Sequence, residues 1–338
     1  DGKTTTTTII AELLKAAGET VYLGGNIGKP LLPDVKMMEP SDFAVVELSS
    51  FQLMTMSLSP HIAVVTNLAP NHLDVHKSME EYISAKKNIF LHQNRADQVV
   101  LNADNAITAA FAAEAPGSVT VFSRQGQPSG DAVFFRNDAI WLNDGGGERL
   151  ILRREEILLP GDHNVENYMA AIAAVKEHVP VNVIRSFAAK FSGVEHRIEL
   201  VRTLDGVRYY NDSIASSPTR TMAGLKCFPE KVILIAGGYD KHIPFDDLGP
   251  AITEHVKRLI LTGNTASKIR KAVEAAPDFA EGRPVIKEYT DFKEAVLAAH
   301  GAAESGDVVI LSPACASFDQ FRNFMERGNT FKHIVLEL

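Results

Sequence analysis

Short apolar runs alternate with helical patterns along the first half of this chain. Phe43-Ala-Val-Val-Glu-Leu and Ile62-Ala-Val-Val-Thr-Asn read as buried strands, each closing in polar residues. Thr4 to Ala17 reads as a helix following a loop, and Glu80 to Leu91 and Asn167 to Lys176 read as further helices. Strands alternating with helices predict a parallel sheet, which binds its ligands at the carboxyl ends of its strands. Between Val119 and Leu152 the pattern changes. Ala132-Val-Phe-Phe, Ala139-Ile-Trp-Leu and a Gly145-Gly-Gly loop predict a small antiparallel excursion. The chain leaves the first domain around Phe191 to Ile198. A second alternating series then follows, with strands at Val232-Ile-Leu-Ile-Ala, Arg258-Leu-Ile-Leu-Thr and Asp307-Val-Val-Ile-Leu. The expected architecture is α/β throughout, with a first domain over 1–193 and a second over 194–338.

Composition narrows the function without choosing it. With 338 residues, 45% hydrophobic and 22% charged, there is apolar material for two cores. A formal net charge of -8 argues against non-specific nucleic-acid binding, which needs Lys and Arg to neutralise phosphates. Two distant cysteines, Cys227 and Cys315, form neither a disulfide framework nor a CxxC metal pattern, which fits a reducing cytosol. No apolar run reaches the roughly 18 residues of a membrane span. The chain opens at Asp1 inside a motif and without methionine, which points to a fragment of a longer protein.

Three strand or helix ends carry candidate chemistry. Asp1-Gly2-Lys3-Thr4 matches the last four positions of GxxxxGK[ST], in which amides at a helix start cradle phosphate and lysine reaches its terminal oxygens. A capped helix start of small polar residues is the plainer alternative. Glu47 ends an apolar strand, where a carboxylate is expensive to bury without donors or a cation; an exposed strand end is equally compatible. His72 lies just past the next strand in Thr66-Asn67-Leu68-Ala69-Pro70-Asn71-His72, a position also open to an ordinary surface histidine. Glu and His at two strand ends suggest a hard-cation site, but Mg²⁺ prefers oxygen and needs further donors. Lys86, on residues alone, is a lysine on a solvated helix face.

The ordered blocks GKTTTT, GGNIG (Gly24–Gly28), ELSSFQL (Glu47–Leu53), TNLAPNHLDVH (Thr66–His76), YISAKKNIF (Tyr82–Phe90), GDHNVEN (Gly161–Asn167), EHRIE (Glu195–Glu199), NDSIASSP (Asn211–Pro218) and LSPACASFDQFRNFMERG (Leu311–Gly328) together resemble the Mur ligase superfamily. The similarity spans essentially the whole chain. ELSSFQL and the last block resemble the branch that adds D-glutamate to UDP-N-acetylmuramoyl-L-alanine.

The resemblance implies a central P-loop ATPase domain with a mostly parallel sheet, then a Rossmann-like C-terminal domain, with the family's UDP-sugar-binding domain not included. It implies a cytoplasmic, ADP-forming ligase in peptidoglycan precursor synthesis, using ATP and two Mg²⁺ ions. Lys86 would be carbamylated, turning an ammonium into an oxygen donor suited to Mg²⁺. Thr4 and Glu47 would hold one ion, and His72 with Lys86 the other. Gly2, Lys3, Thr4, Thr5, Asn164, Asn167, Arg197 and Asp212 would meet ATP, the last two from the second domain, whose closure catalysis should need. The plainer reading of Asn164 and Asn167 is capping at the start of a Val165–Lys176 helix, and the two roles can coexist. Asn26 and Ser49 would meet the muramoyl-alanine substrate. Ser216, Lys241, Ser317, Phe318 and Phe324 would line the D-glutamate pocket, although an exposed Lys241 needs no function. The expected partners are these small molecules, without nucleic acid or membrane, and the chain is expected to be a monomer. A sibling ligase of different amino-acid choice and an inactive nucleotide-binding fragment are the competing readings. Ile214, where some members carry lysine, and the turn Gly237-Gly-Tyr-Asp-Lys241 put the details of amino-acid recognition in doubt.

Overall fold

Every apolar run singled out above lies in a strand of the structure, a computed structural model that describes residues 2–27, 30–68 and 78–338. The chain divides into two units, Asp1–Phe191 and Ser192–Leu338.

In the first unit, β1 (Val21–Gly25) and β2 (Phe43–Glu47) form a two-stranded parallel sheet. A six-stranded sheet contains β3 (Ile62–Val65), β4 (Gln98–Asn102), β5 (Ser118–Ser123), β6 (Ala132–Arg136), β7 (Ala139–Asn143) and β8 (Glu148–Arg153), in that order. Its first four strands run parallel, and β6 to β8 are antiparallel. The turn between β6 and β7 explains the switch. Asn137 and Asp138 have φ of 51° and 52°, the doubly left-handed pair that matches the twist of a two-residue hairpin.

The helix Asp162–Val175 packs against both this sheet and the helix Lys3–Ala16. Ala170, Ala171, Ala173 and Ala174 are buried on it, and their small side chains let sheet and helix approach closely from different sides. Side chains from β2 and from β3 reach the same core, Phe43 and Val45 from one, Ile62 and Val64 from the other.

The second unit is built on one sheet of β9 (Glu199–Leu204), β10 (Val207–Asn211), β11 (Val232–Ala236), β12 (Val256–Thr262), β13 (Val285–Tyr289) and β14 (Val308–Leu311). Its order is β13-β12-β11-β14-β10-β9, parallel except for β9 against β10. All five residues of β11 are buried. Leu234 and Ala236 serve a core on one face, Ile233 and Ile235 a core on the other, so a continuous apolar run is what a strand covered on both sides requires. The last strand, β14, inserts between β10 and β11, which creates a topological switch point where three loops meet at strand carboxyl ends. No helix among the described residues is long and apolar enough to cross a membrane.

Phe331 and Leu336 share the final helix, Phe324–Glu337, but Phe331 is fully buried and Leu336 is 60% exposed. Phe331→Ala should lower the stability of the second unit by about 3–5 kcal/mol, and Leu336→Ala should change it by less than about 0.5 kcal/mol. Urea unfolding of the two variants checks this, and equal effects would contradict the packing described.

Candidate functional site

The helix Lys3–Ala16 starts abruptly. Gly2 has φ 80°, and a Cβ there would overlap Oδ1 of Asn167, so the backbone can reach this position only as glycine. No side chain caps the helix, which leaves its first-turn amides as donors for an anion. Lys3 and Thr4 are partly exposed, whereas Thr5 and Thr6 are buried. Thr6 Oγ1 donates to Asn167 Oδ1 at 3.2 Å, Asn167 Nδ2 to Asn164 Oδ1 at 3.0 Å, and Asn164 Nδ2 to the Pro160 carbonyl at 2.7 Å. The capping alternative for the two asparagines is not realised. Their helix begins at Asp162 with Gly161 as its N-cap, so both lie inside it and are nearly fully buried.

Glu47 is the last residue of β2 and only 4% exposed. Oε1 accepts from Asn26 Nδ2 at 2.8 Å, while Oε2 is buried without a hydrogen-bond partner among the described residues. The chain at the end of β1 passes close by. Asn26 N donates to the Glu47 carbonyl at 2.8 Å, and Gly25, with φ 90°, has no room for a Cβ against that same carbonyl oxygen.

Lys86 sits on the helix Met79–Lys87, its Nζ 5.8 Å from the centre of the Tyr82 ring. Burial, and then the charge of Lys3, pull its pKa down to about 8, with Glu47 pulling the other way. Lys3 and Glu47, 83 (86 − 3) and 39 (86 − 47) positions earlier in the chain, are therefore both close enough for their charges to reach Lys86. The buried Glu47 Oε2, without a partner among the described residues, is an oxygen donor of the kind Mg²⁺ takes, so this carboxylate fits the ion, whereas an ammonium on Lys86 would not. His72 lies outside the described residues, and among the described residues no three His, Cys, Asp or Glu side chains form a metal cluster. Ser49 is engaged in the chain's own structure: it accepts from Gln52 N at 3.3 Å and its own N donates to Gln52 Oε1 at 2.8 Å, closing a capping box on the helix Ser50–Leu53.

In the second unit, Ser216, Lys241 and Ser317 follow β10, β11 and β14, the three neighbours at the switch point. Ser317 is buried, Ser216 half-buried and Lys241 exposed. Phe318 is 61% exposed and meets Tyr239 edge-on with ring centres 5.8 Å apart; Phe324 stands edge-on to His196 at 5.8 Å. Asp212 is buried, accepting from Ser312 Oγ at 2.8 Å and Ile198 N at 3.3 Å. Burial raises its pKa to about 7, although Ser312, the Ile198 amide, Arg197 and Arg220 all oppose the rise. Arg197 and Asp212 are thus brought into each other's field.

Sequence reasoning missed Arg327, which organises these loops. It is 2% exposed and donates to Ser213 Oγ and O at 3.0 and 2.9 Å, and to the Ala316 and Cys315 carbonyls, each at 3.1 Å. Burial pulls its pKa down to about 10. Nothing in the spacing of the last block distinguishes this arginine from a surface one.

Residues 1–175 match the Mur ligase middle domain, and residues 196–315 the Mur ligase glutamate ligase domain. The UDP-N-acetylmuramoylalanine–D-glutamate ligase of Acetivibrio thermocellus is 57% identical over 337 residues, covering 99% of this chain and 72% of that protein. The ligase of the same name from Symbiobacterium thermophilum is 53% identical over 340 residues, covering 99% and 73%. Among solved structures, MurF from Acinetobacter baumannii matches with a TM-score of 0.72 at 17% identity, covering 100% of this chain and 75% of that one, a likeness of fold alone.

The position of Lys86 predicts its reactivity. Acylation of Lys86, followed by mass spectrometry across pH, should show a midpoint near 8, well below an ordinary lysine. Lys3→Met should move that midpoint up and Glu47→Gln should move it down, following the sign of each charge. An unshifted midpoint in both variants would separate Lys86 from the other two residues.

Proposed function

The chain belongs to the Mur ligase family, and on that premise we propose that it joins D-glutamate to UDP-N-acetylmuramoyl-L-alanine in peptidoglycan precursor synthesis, forming ADP. The observation that carries this reading is the buried Glu47 Oε2, without a hydrogen-bond partner among the described residues, on a carboxylate whose charge, with that of Lys3, reaches Lys86. The high identity to ligases named for D-glutamate supports the choice of amino acid over a sibling.

In the proposed reaction the alanyl carboxylate attacks the γ-phosphate of ATP, and ADP leaves. The amine of D-glutamate then attacks the carbonyl carbon of the acyl phosphate, and the tetrahedral intermediate collapses with loss of phosphate. The ammonium of Lys3 and the first-turn amides behind Gly2 and Thr4 face the charge on the transferring group, so the protein's part is positioning and electrostatics. Thr4, Glu47, His72 and Lys86 are the residues that would hold two Mg²⁺ ions. Bound there, the ions would neutralise charge on phosphate and acyl oxygens.

Carbamylation of Lys86 fits its environment. The neutral amine attacks CO₂, a C–N bond forms and a proton is lost to water. A pKa of about 8 leaves roughly one amine in ten neutral at pH 7. Thr5 is buried and Asn167 is hydrogen-bonded to Thr6, so we give them a supporting place under the phosphate loop, with Asn164 behind. Arg197 and Asp212 are proposed to meet the nucleotide, Asn26 and Ser49 the muramoyl-alanine. Ser216, Lys241, Ser317, Phe318 and Phe324 are proposed to receive D-glutamate, with Lys241 as the cation for a carboxylate. We assign 1–193 to the ATP-binding domain and 194–338 to the C-terminal ligase domain, in a cytoplasmic, monomeric enzyme.

Phosphate release from the full-length ligase, with UDP-N-acetylmuramoyl-L-alanine and ATP, should depend on D-glutamate and not on L-glutamate, L-alanine or diaminopimelate. Release with one of the others assigns a sibling activity, and release with none leaves a nucleotide-binding scaffold. Lys86→Ala should reduce turnover roughly 100-fold, and added bicarbonate should not restore it. Wild-type turnover in that variant would remove Lys86 from the mechanism.

A further inference from the structure

Arg197 occupies a contorted turn. The residues on either side of it, His196 and Ile198, have φ of 64° and 44°, left-handed conformations that are unfavourable for any side chain and worst for a β-branched one. Such a turn persists only if its surroundings hold it.

The hydrogen bonds around it show what does. His196 N donates to Glu199 Oε2 at 2.9 Å. Asn211 Nδ2 reaches that same oxygen at 3.0 Å and the His196 ring at Nδ1, 2.9 Å away. Ile214 N donates to the His196 carbonyl at 3.1 Å, and Ile198 N to Asp212 Oδ1 at 3.3 Å. Glu199 is therefore the carboxylate that pins the turn from inside the second unit. It needs a partner on its other oxygen, because a half-buried carboxylate with one bonded oxygen is free to swing.

Lys332, on the final helix, supplies that partner. Its Nζ lies 3.1 Å from Glu199 Oε1 and 2.6 Å from Glu195 Oε1, so one ammonium spans the first and last residues of Glu195–Glu199. Its side chain is 22% exposed, screened enough from water for the pair to matter. The same helix makes room for the turn at Gly328, where a Cβ would overlap His196 Nδ1.

We propose that Lys332 is a positioning residue for nucleotide binding: by clamping Glu195 and Glu199 it holds the strained turn that aims Arg197. The inference rests on the reading above that Arg197 meets ATP, and it extends that reading to a residue that touches no substrate.

Steady-state kinetics of the full-length ligase test it with four variants. Lys332→Met keeps the aliphatic stem and removes the clamp, and should raise KM for ATP about tenfold while KM for D-glutamate stays within about twofold. Lys332→Arg can span both carboxylates and should return KM for ATP to within about threefold of the parent. Glu195→Gln, an exposed side chain unable to unfold the unit, should raise KM for ATP about threefold and covers the case in which Lys332→Met does not fold. Arg197→Ala is the reference. If it raises KM for ATP and neither Lys332→Met nor Glu195→Gln does, the positioning role is wrong and the role of Arg197 stands. If Arg197→Ala leaves KM for ATP unchanged, the parent reading fails and this inference with it. Equal rises in both KM values, unrescued by Lys332→Arg, would show a general structural part and overturn the proposal.

Discussion

A carboxylate taken out of water must be met by donors or cations, and Glu47 imposes that requirement on the first unit. One of its oxygens is satisfied by Asn26, and the other has no hydrogen-bond partner among the described residues. Several features follow from this. Gly25 lacks a side chain because β1 must pass against the Glu47 carbonyl, and the strand ends together so that Asn26 can reach across. The charge of Lys3 disfavours the charged form of Lys86, and the negative charge of Glu47 opposes that effect. An arrangement that holds an incomplete charge balance suits a ligand that completes it.

The second unit solves a different problem, that of keeping three loops in fixed register at the end of a sheet. Strand order delivers them to one place, and a buried guanidinium joins two of them through carbonyls. Arginine does this better than lysine because its donors form a rigid planar fork, able to address four acceptors in set directions. The loops at the switch point are thus braced by a cation without carboxylate hydrogen bonds of its own among the described contacts. The exposed groups, Lys241 and Phe318, sit on top of that bracing.

Much of this fold could be read from periodicity. The strands β2, β3, β11, β12 and β14 are runs of branched apolar residues, and the excursion β6 to β8 announces itself by its glycines. Other elements carried weaker signals. β1 contains two glycines, and β13, Val-Ile-Lys-Glu-Tyr, lies at the sheet edge, where the charged residues that suit an edge strand hide the pattern. The helix expected to begin at Asn167 begins at Asp162, because its first three residues, Asp162, His163 and Asn164, are polar and add nothing to an apolar pattern. The helix expected over Glu80 to Leu91 spans Met79–Lys87. For the site, the sequence offered residue types at strand ends and a glycine before a helix start, and the structure places Gly2 directly before the helix Lys3–Ala16 and Glu47 at the end of β2. The burial of Lys86, the bracing by Arg327 and the clamp by Lys332 depend on contacts between residues more than 100 positions apart in the last two cases, and no local pattern encodes them.

The chain of hydrogen bonds behind the start of the helix Lys3–Ala16 has a mechanical meaning. Thr6, Asn167, Asn164 and the Pro160 carbonyl form one relay that crosses from the first helix to the helix Asp162–Val175 and back to the loop preceding it. The first two links are buried and the last is partly so, so breaking either of the first two would strand a polar atom away from water. The two helices are consequently geared: a tilt of one is transmitted to the other, and motion at the start of the first helix is coupled to a helix with 11 buried residues.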